Sequence, residues 1–307
     1  TSLARTCSGI GDAIPTVLTM TVVPILGAGS SMADYRIGFK WWALIIAVVF
    51  VISELVCVAC VPERPVACDE KPGKISDMFK ALFKNEQAMT VVVSIILVYT
   101  SLNICGNLVL YFFRFDVGNE GAYSIFAAVA FAAQVLVMMV IPLLRKRFSK
   151  SQLFISGFII QIAGFAVILI MAFAKLYTPQ SWYILCLPGI LIYLGYGMLN
   201  VIMTIFLSDS VDYGEVMNGT REESVIFSMQ TFTVKLASGV AVFLAGLVVD
   251  WIHLDTAAAV QTQDTLDDLR MWMTIPSVIL LIVGIFVFKR FYKLDDTRME
   301  EIKSKLN

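Results

Sequence analysis

The sequence predicts an all-α integral membrane protein, a bundle of spanning helices. Three observations predict it. The 307-residue chain is 58% hydrophobic and only 15% charged, where soluble domains average roughly 45–50% apolar and about 25% charged. Its mean hydropathy is +0.81. Its apolar residues gather into runs of the length a helix needs to cross a hydrocarbon core, about 20 residues.

Eight runs qualify: 6–27, 39–61, 88–113, 121–144, 152–174, 182–207, 223–249 and 271–292. They are too long and too continuously apolar for barrel strands, which alternate over about ten residues. Helices satisfy their backbone groups internally and are the remaining way to span. The chain opens TSLARTC, with no Met and no signal-peptide n-region, and Arg5 lies almost at the start of the first run. The expectation is a fragment or an N-terminally truncated chain.

Lys and Arg set the orientation. The start, 62–87, 145–151, 208–222 and the tail carry most of the 23 cations. The other connections carry Arg36, Lys40, Arg114, Lys175 and Arg270. The first side is expected to be cytoplasmic, with both termini of the chain inside, in a multi-pass cell (inner) membrane protein. The 62–87 connection divides the runs two and six. Its KISDMFKALFK has Ile75, Met78, Phe79, Leu82 and Phe83 at helical spacing, an amphipathic helix at the membrane surface or a solvated linker helix. The domains expected are 1–61, 62–87, 88–292 and a cytoplasmic tail 293–307.

The net charge of −1 says nothing about partners, and no basic domain supports a nucleic-acid role. His253 is the one histidine. Five of the six cysteines lie in apolar runs, where they pack as small hydrophobes. Cys57 and Cys60 form a CxxC with no second pair, so a membrane redox protein is the remote reading. No metal or other cofactor is expected. A membrane enzyme would need a nucleophile motif, a His cluster or a phosphate loop, none of which is evident.

Several runs carry a one-sided polar stripe. Ser224, Ser228, Thr231, Lys235, Ser238 and Gly239 fall within about 100° on the seventh. Tyr193, Tyr196, Asn200 and Thr204 align on the sixth; Tyr99, Asn103, Asn107, Tyr111 and Arg114 on the third; Arg5, Ser8, Asp12, Thr16 and Thr19 on the first. Any one stripe can be packing, since small and hydroxylated residues let membrane helices approach. Four stripes that include Lys235 and Asp12 point to a path for a polar solute. A centred Lys or Asp costs roughly 2.5–3.5 kcal/mol on an insertion scale, so it must face a partner or a hydrated cavity. Tyrosines and asparagines suit a neutral, hydroxyl-rich ligand.

One charged stretch carries a resemblance. Asp209, Asp212, Tyr213, Gly214 and Glu215 read D-x-x-D-Y-G-E, followed by Gly219 and Arg221 as G-x-R, with Lys235 beyond. This resembles the glycoside–pentoside–hexuronide:cation symporters, melibiose-permease-like members of the major facilitator superfamily. SLAR at the start looks like the entry to the family's fifth helix, and KRFYKLDD like the exit of its twelfth. The resemblance covers essentially the whole chain, as helices five to twelve. It implies a major-facilitator-type bundle with eight of twelve expected transmembrane helices.

The resemblance also implies roles. Lys235 matches the central lysine that links the sugar site to the cation-site carboxylates. Arg5 matches an arginine near the sugar, and Gln230, Thr231 and Val234 match pocket-lining positions. Asp209, Asp212 and Arg221 match a cytoplasmic gate, which Lys150 is placed to join. Lys235 itself, and Asn200, Tyr196 and Asn103 from the polar stripes, complete the expected sugar-binding set, although Asn200 stands where some members have an aromatic. Asp12 departs from the family pattern and is read with Lys235 in the coupling network. The function implied is symport of a sugar with Na⁺ or H⁺ by alternating access, the main cation site lying on helices upstream; a monomer is the expectation, though the residues do not fix the oligomeric state. A related carrier of a lysolipid or other amphiphile is the alternative.

Overall fold

In a computed structural model, residues 2–28, 32–60, 83–219, 223–256, 258 and 260–306 are described. Among them every regular element is helical. In chain order these are α1 (Ser2–Gly27), α2 (Met32–Cys60), α3 (Glu86–Tyr111), α4 (Ala122–Leu144), α5 (Lys150–Phe173), α6 (Cys186–Asn218), α7 (Glu223–Trp251), α8 (Gln263–Phe291) and α9 (Asp296–Leu306). A π turn, Phe112–Asp116, extends α3, and a short 3₁₀ turn, Trp182–Leu185, leads into α6. The amphipathic segment expected within 62–87 lies mostly outside the described residues.

Among the described residues, α2 to α8 are seven helices long and apolar enough to cross a membrane. The run expected at 6–27 forms α1, a 26-residue helix with Pro15 and Pro24 inside it.

One correction concerns 208–222, expected as a connection. Helix α6 continues to Asn218, so Asp209, Asp212 and Glu215 stand on its last turns. Gly219 ends it at φ 73°, where its N–H reaches the carbonyl of Glu215 at 2.9 Å. A left-handed residue just past a helix end is where glycine avoids the Cβ penalty. The tail is likewise helical, as α9, with Leu294, Met299 and Ile302 buried against Tyr213, Val216 and Tyr292.

The core sits among α3, α5, α6 and α8. Helix α3 packs on α6, α7 and α8, and α6 packs on α4 and α5. Small residues bring α5 and α6 together: a Cβ on Gly195 would lie 2.5 Å from the carbonyl oxygen of Gly157. Close backbone approach of this kind is how membrane helices gain contact without a hydrophobic drive from solvent. Toward the α9 end, Phe154, Phe206, Phe288 and Tyr292 interlock, with ring centroids 4.5–5.2 Å apart.

Helices α1 and α2 form a separate hairpin. Gly38 of α2 meets the carbonyl of Val23, and Trp42 donates to Thr19 at 2.8 Å. The hairpin joins the other helices chiefly where α1 packs on α4. Most of α2 is exposed apolar surface, from Trp41 to Val58. Glu54, Cys57 and Cys60 share that exposure, and both thiols are free.

Candidate functional site

Tyr196, Asn200 and Thr204 recur at four-residue steps, so α6 presents them on one face. Tyr99 and Asn103 do the same on α3. Packing α3 on α6 brings the faces together near the middle of both helices. Asn200 Nδ2 donates to the Tyr99 hydroxyl at 2.6 Å and lies 3.5 Å from that of Tyr196. The Tyr99 and Tyr196 rings meet edge to face at 5.5 Å. Thr204 Oγ1 donates to the Asn200 carbonyl, and Gln230 Nε2 of α7 reaches Thr204 Oγ1 at 3.5 Å. Three helices thus share one polar and aromatic cluster. Tyr193 extends it, ring to ring, toward Phe131 of α4 at 5.2 Å.

Such a cluster can bind a hydroxylated solute. Tyrosine faces stack on the apolar side of a sugar ring, and amides both donate and accept. Asn103 Nδ2 is taken by the Tyr99 carbonyl at 2.7 Å. Its own oxygen has no protein partner among the described residues.

Helix α7 divides its two faces. Ile226, Gln230, Thr233, Ala237 and Ala241 are buried, while Ser224, Ser228, Thr231 and Lys235 are exposed. Thr231 bonds only its own helix, at Phe227. Val234 packs half-buried against the core. Lys235 has no ion pair among the described residues. The structure therefore brings Tyr196, Asn200 and Gln230 together, with Asn103 beside them, and sets Thr231 and Lys235 on the open face of α7. Arg5 and Asp12 stand on α1, and their side chains lie outside the described ones. No group of three or more His, Cys, Asp or Glu suited to a metal occurs among the described residues.

Two charged clusters close the ends of the bundle. At one end Lys150 Nζ lies 2.5 Å from Asp209 and 3.3 Å from Asp296, which Arg145 approaches at 3.4 Å. Lys150 is the first residue of α5, behind a Ser149–Gln152 capping box. The Lys150 and Asp209 side chains are only 7% and 6% exposed, so neither charge has water as an alternative partner. Asp212 is half-buried on the same helix end, and Arg221 lies outside the described residues. Burial alone would raise the Asp296 carboxyl; Lys150 and Arg145 outweigh it and hold the group below its ordinary range.

At the other end the π turn aims Asp116 at Arg270 of α8. Arg270 Nε and Nη2 bind both carboxylate oxygens, at 2.9 and 2.5 Å, and Nη1 binds Asp267 at 2.6 Å. Tyr177 donates to the same carboxylate at 2.5 Å. Burial, then the neighbouring Asp116, pushes the Tyr177 phenol up, which keeps it a donor. Sequence reasoning missed this cluster and the role of Asp296. Tyr99 and Thr204 were visible only as members of stripes.

The fold is that of a polytopic helical membrane protein with a polar and aromatic cluster between its helices. The family described as MFS/sugar transport protein matches residues 2–296, and the chain belongs to it. The chain is 23% identical to a raffinose carrier protein of Pediococcus pentosaceus, over 99% of this chain and 47% of the relative. It is 24% identical to an uncharacterized symporter of Bacillus subtilis, over 95% and 61%. It is 25% identical to an isoprimeverose transporter of Lactiplantibacillus pentosus, over 93% and 58%. The chain thus spans about half to three-fifths of the length of these curated relatives. These relatives are named as a carrier, a symporter and a transporter.

Proposed function

We propose that the full-length protein carries a sugar (a glycoside, pentoside or hexuronide) across the cell membrane with Na⁺ or H⁺. The observation that carries this reading is the Tyr99–Tyr196–Asn200–Thr204–Gln230 cluster, in which three helices converge on groups that recognise hydroxyls. Sugar-carrier relatives support the solute class, and a symporter among them supports coupling. In this reading Asn103, Tyr196, Asn200, Gln230, Thr231, Val234 and Arg5 contact the sugar. Lys235, with Asp12, connects it to carboxylates on the helices that complete the carrier.

Residues 1–61 then belong to one helical bundle and 88–292 to the other. Rocking of the two shifts the population between outward- and inward-facing states, each stabilised differently by ligand. Lys150, Asp209, Asp212 and Arg221 hold the cytoplasmic side, where both termini of this chain lie, and the carrier works as a monomer. The polarity of the cluster favours a sugar over a lysolipid.

The test is uptake by the full-length carrier in proteoliposomes, across a panel of sugars, with and without a Na⁺ or pH gradient. Gradient-driven accumulation of a sugar is expected. Sugar entry that ignores both gradients would overturn the coupling, and lysolipid transport without sugar transport would overturn the solute class.

A further inference from the structure

We propose that the loop joining α4 and α5 forms a site for the headgroup of an anionic phospholipid. A cleft of about 470 Å³ opens there, and Arg145, Lys146, Arg147, Lys150 and Lys303 line it. Its carboxylates are Asp296 and Glu300. Asp296 is already engaged by Lys150 and Arg145. Lys146, Arg147 and Lys303 are exposed and have no ion pair among the described residues.

Three further features suit a lipid rather than a soluble anion. The cleft lies between the ends of two spanning helices, Leu144 and Lys150, and so at the level of headgroups. Exposed Leu143 and Phe148 flank the cations, 61% and 47% exposed, and offer acyl chains an apolar surface. Ser149 and Lys150, the N-cap and the first residue of α5, line the cleft, and a helix N-terminus favours a phosphate through its free N–H groups. Ser149 and Gln152 cap each other, which leaves the amides of Lys150 and Ser151 unclaimed by the cap. Clustered Lys and Arg beside spanning helices are an established form of anionic-lipid recognition.

The experiment uses the purified full-length carrier in neutral detergent. Lipid binding is read by native mass spectrometry and by melting temperature, with phosphatidylglycerol, phosphatidylcholine and inorganic phosphate as probes. Phosphatidylglycerol is expected to bind and to raise the melting temperature, with little effect of phosphatidylcholine or of phosphate at equal concentration. Lys146→Gln with Arg147→Gln should weaken phosphatidylglycerol binding about 30-fold, as loss of two surface cations implies. Lys303→Gln should weaken it by a smaller factor, and Arg114→Gln at the opposite end should not change it. Equal binding of phosphatidylcholine, an equal effect of inorganic phosphate, or full affinity in the double variant would overturn the proposal.

Discussion

Asn200 Nδ2 donates to the Tyr99 hydroxyl at 2.6 Å, across 101 positions of sequence, and so ties α6 to α3. The bond fixes which way the Asn200 amide faces. With Tyr99→Phe the amide keeps only the longer approach to Tyr196. Sugar affinity should fall several-fold, read as a raised KM for uptake, with a stability loss of about 1 kcal/mol typical of one interhelical hydrogen bond. An unchanged KM would remove Asn200 from the site.

Lys235 is exposed on the open face of α7 and makes no ion pair among the described residues. Lys235→Ala in the full-length carrier should abolish gradient-driven uptake while leaving insertion and melting temperature close to wild type. Normal coupled uptake by the variant would disprove the central-lysine role.

The Asp116–Arg270 pair is 3% exposed on both sides, so neither ion can turn to water when the other is removed. Arg270→Ala should cost about 3–5 kcal/mol, seen as a sharp fall in the folded fraction. Replacing both ions with apolar residues of similar size should recover much of the loss. Equal damage from the single and double changes would show that the pair's geometry matters beyond charge compensation.

Asp296 has its carboxyl held below the ordinary value of 3.8 by Lys150 and Arg145. A depressed folded-state pKa gives stability that is present above the unfolded value and lost as pH falls through the folded one. Docking of α9 should therefore be insensitive to pH near neutrality and loosen only below about 3.8. Limited proteolysis of α9 across pH reads this. Asp296→Asn should loosen α9 at neutral pH, and unchanged protection in that variant would exclude the carboxylate as its anchor.

Much of the architecture was legible before any coordinates. The long apolar runs mark the spanning helices because lipid leaves a backbone few other ways to satisfy its polar groups. Stripes on α3, α6 and α7 announced which faces carry polar groups. The run boundaries were less legible: α6 overran its apolar segment by three turns, since a helix entering water keeps its hydrogen bonds and no hydropathy change marks its end. Gly219 was the local signal for that end.

The order of residues determined by itself that this is a membrane-spanning helical protein, and which helices bear polar faces, because helix formation and insertion depend on local composition and period. Only the tertiary structure decided which polar groups meet. Lys150 and Asp209 are 59 positions apart, and Arg270 and Asp116 are 154 apart. No local pattern couples such pairs; the packing of α5 on α6, and of α8 against the end of α3, brings their charges together. The same packing turned the Tyr196–Asn200–Thr204 stripe inward to Tyr99 and Gln230, and left Lys235 facing out.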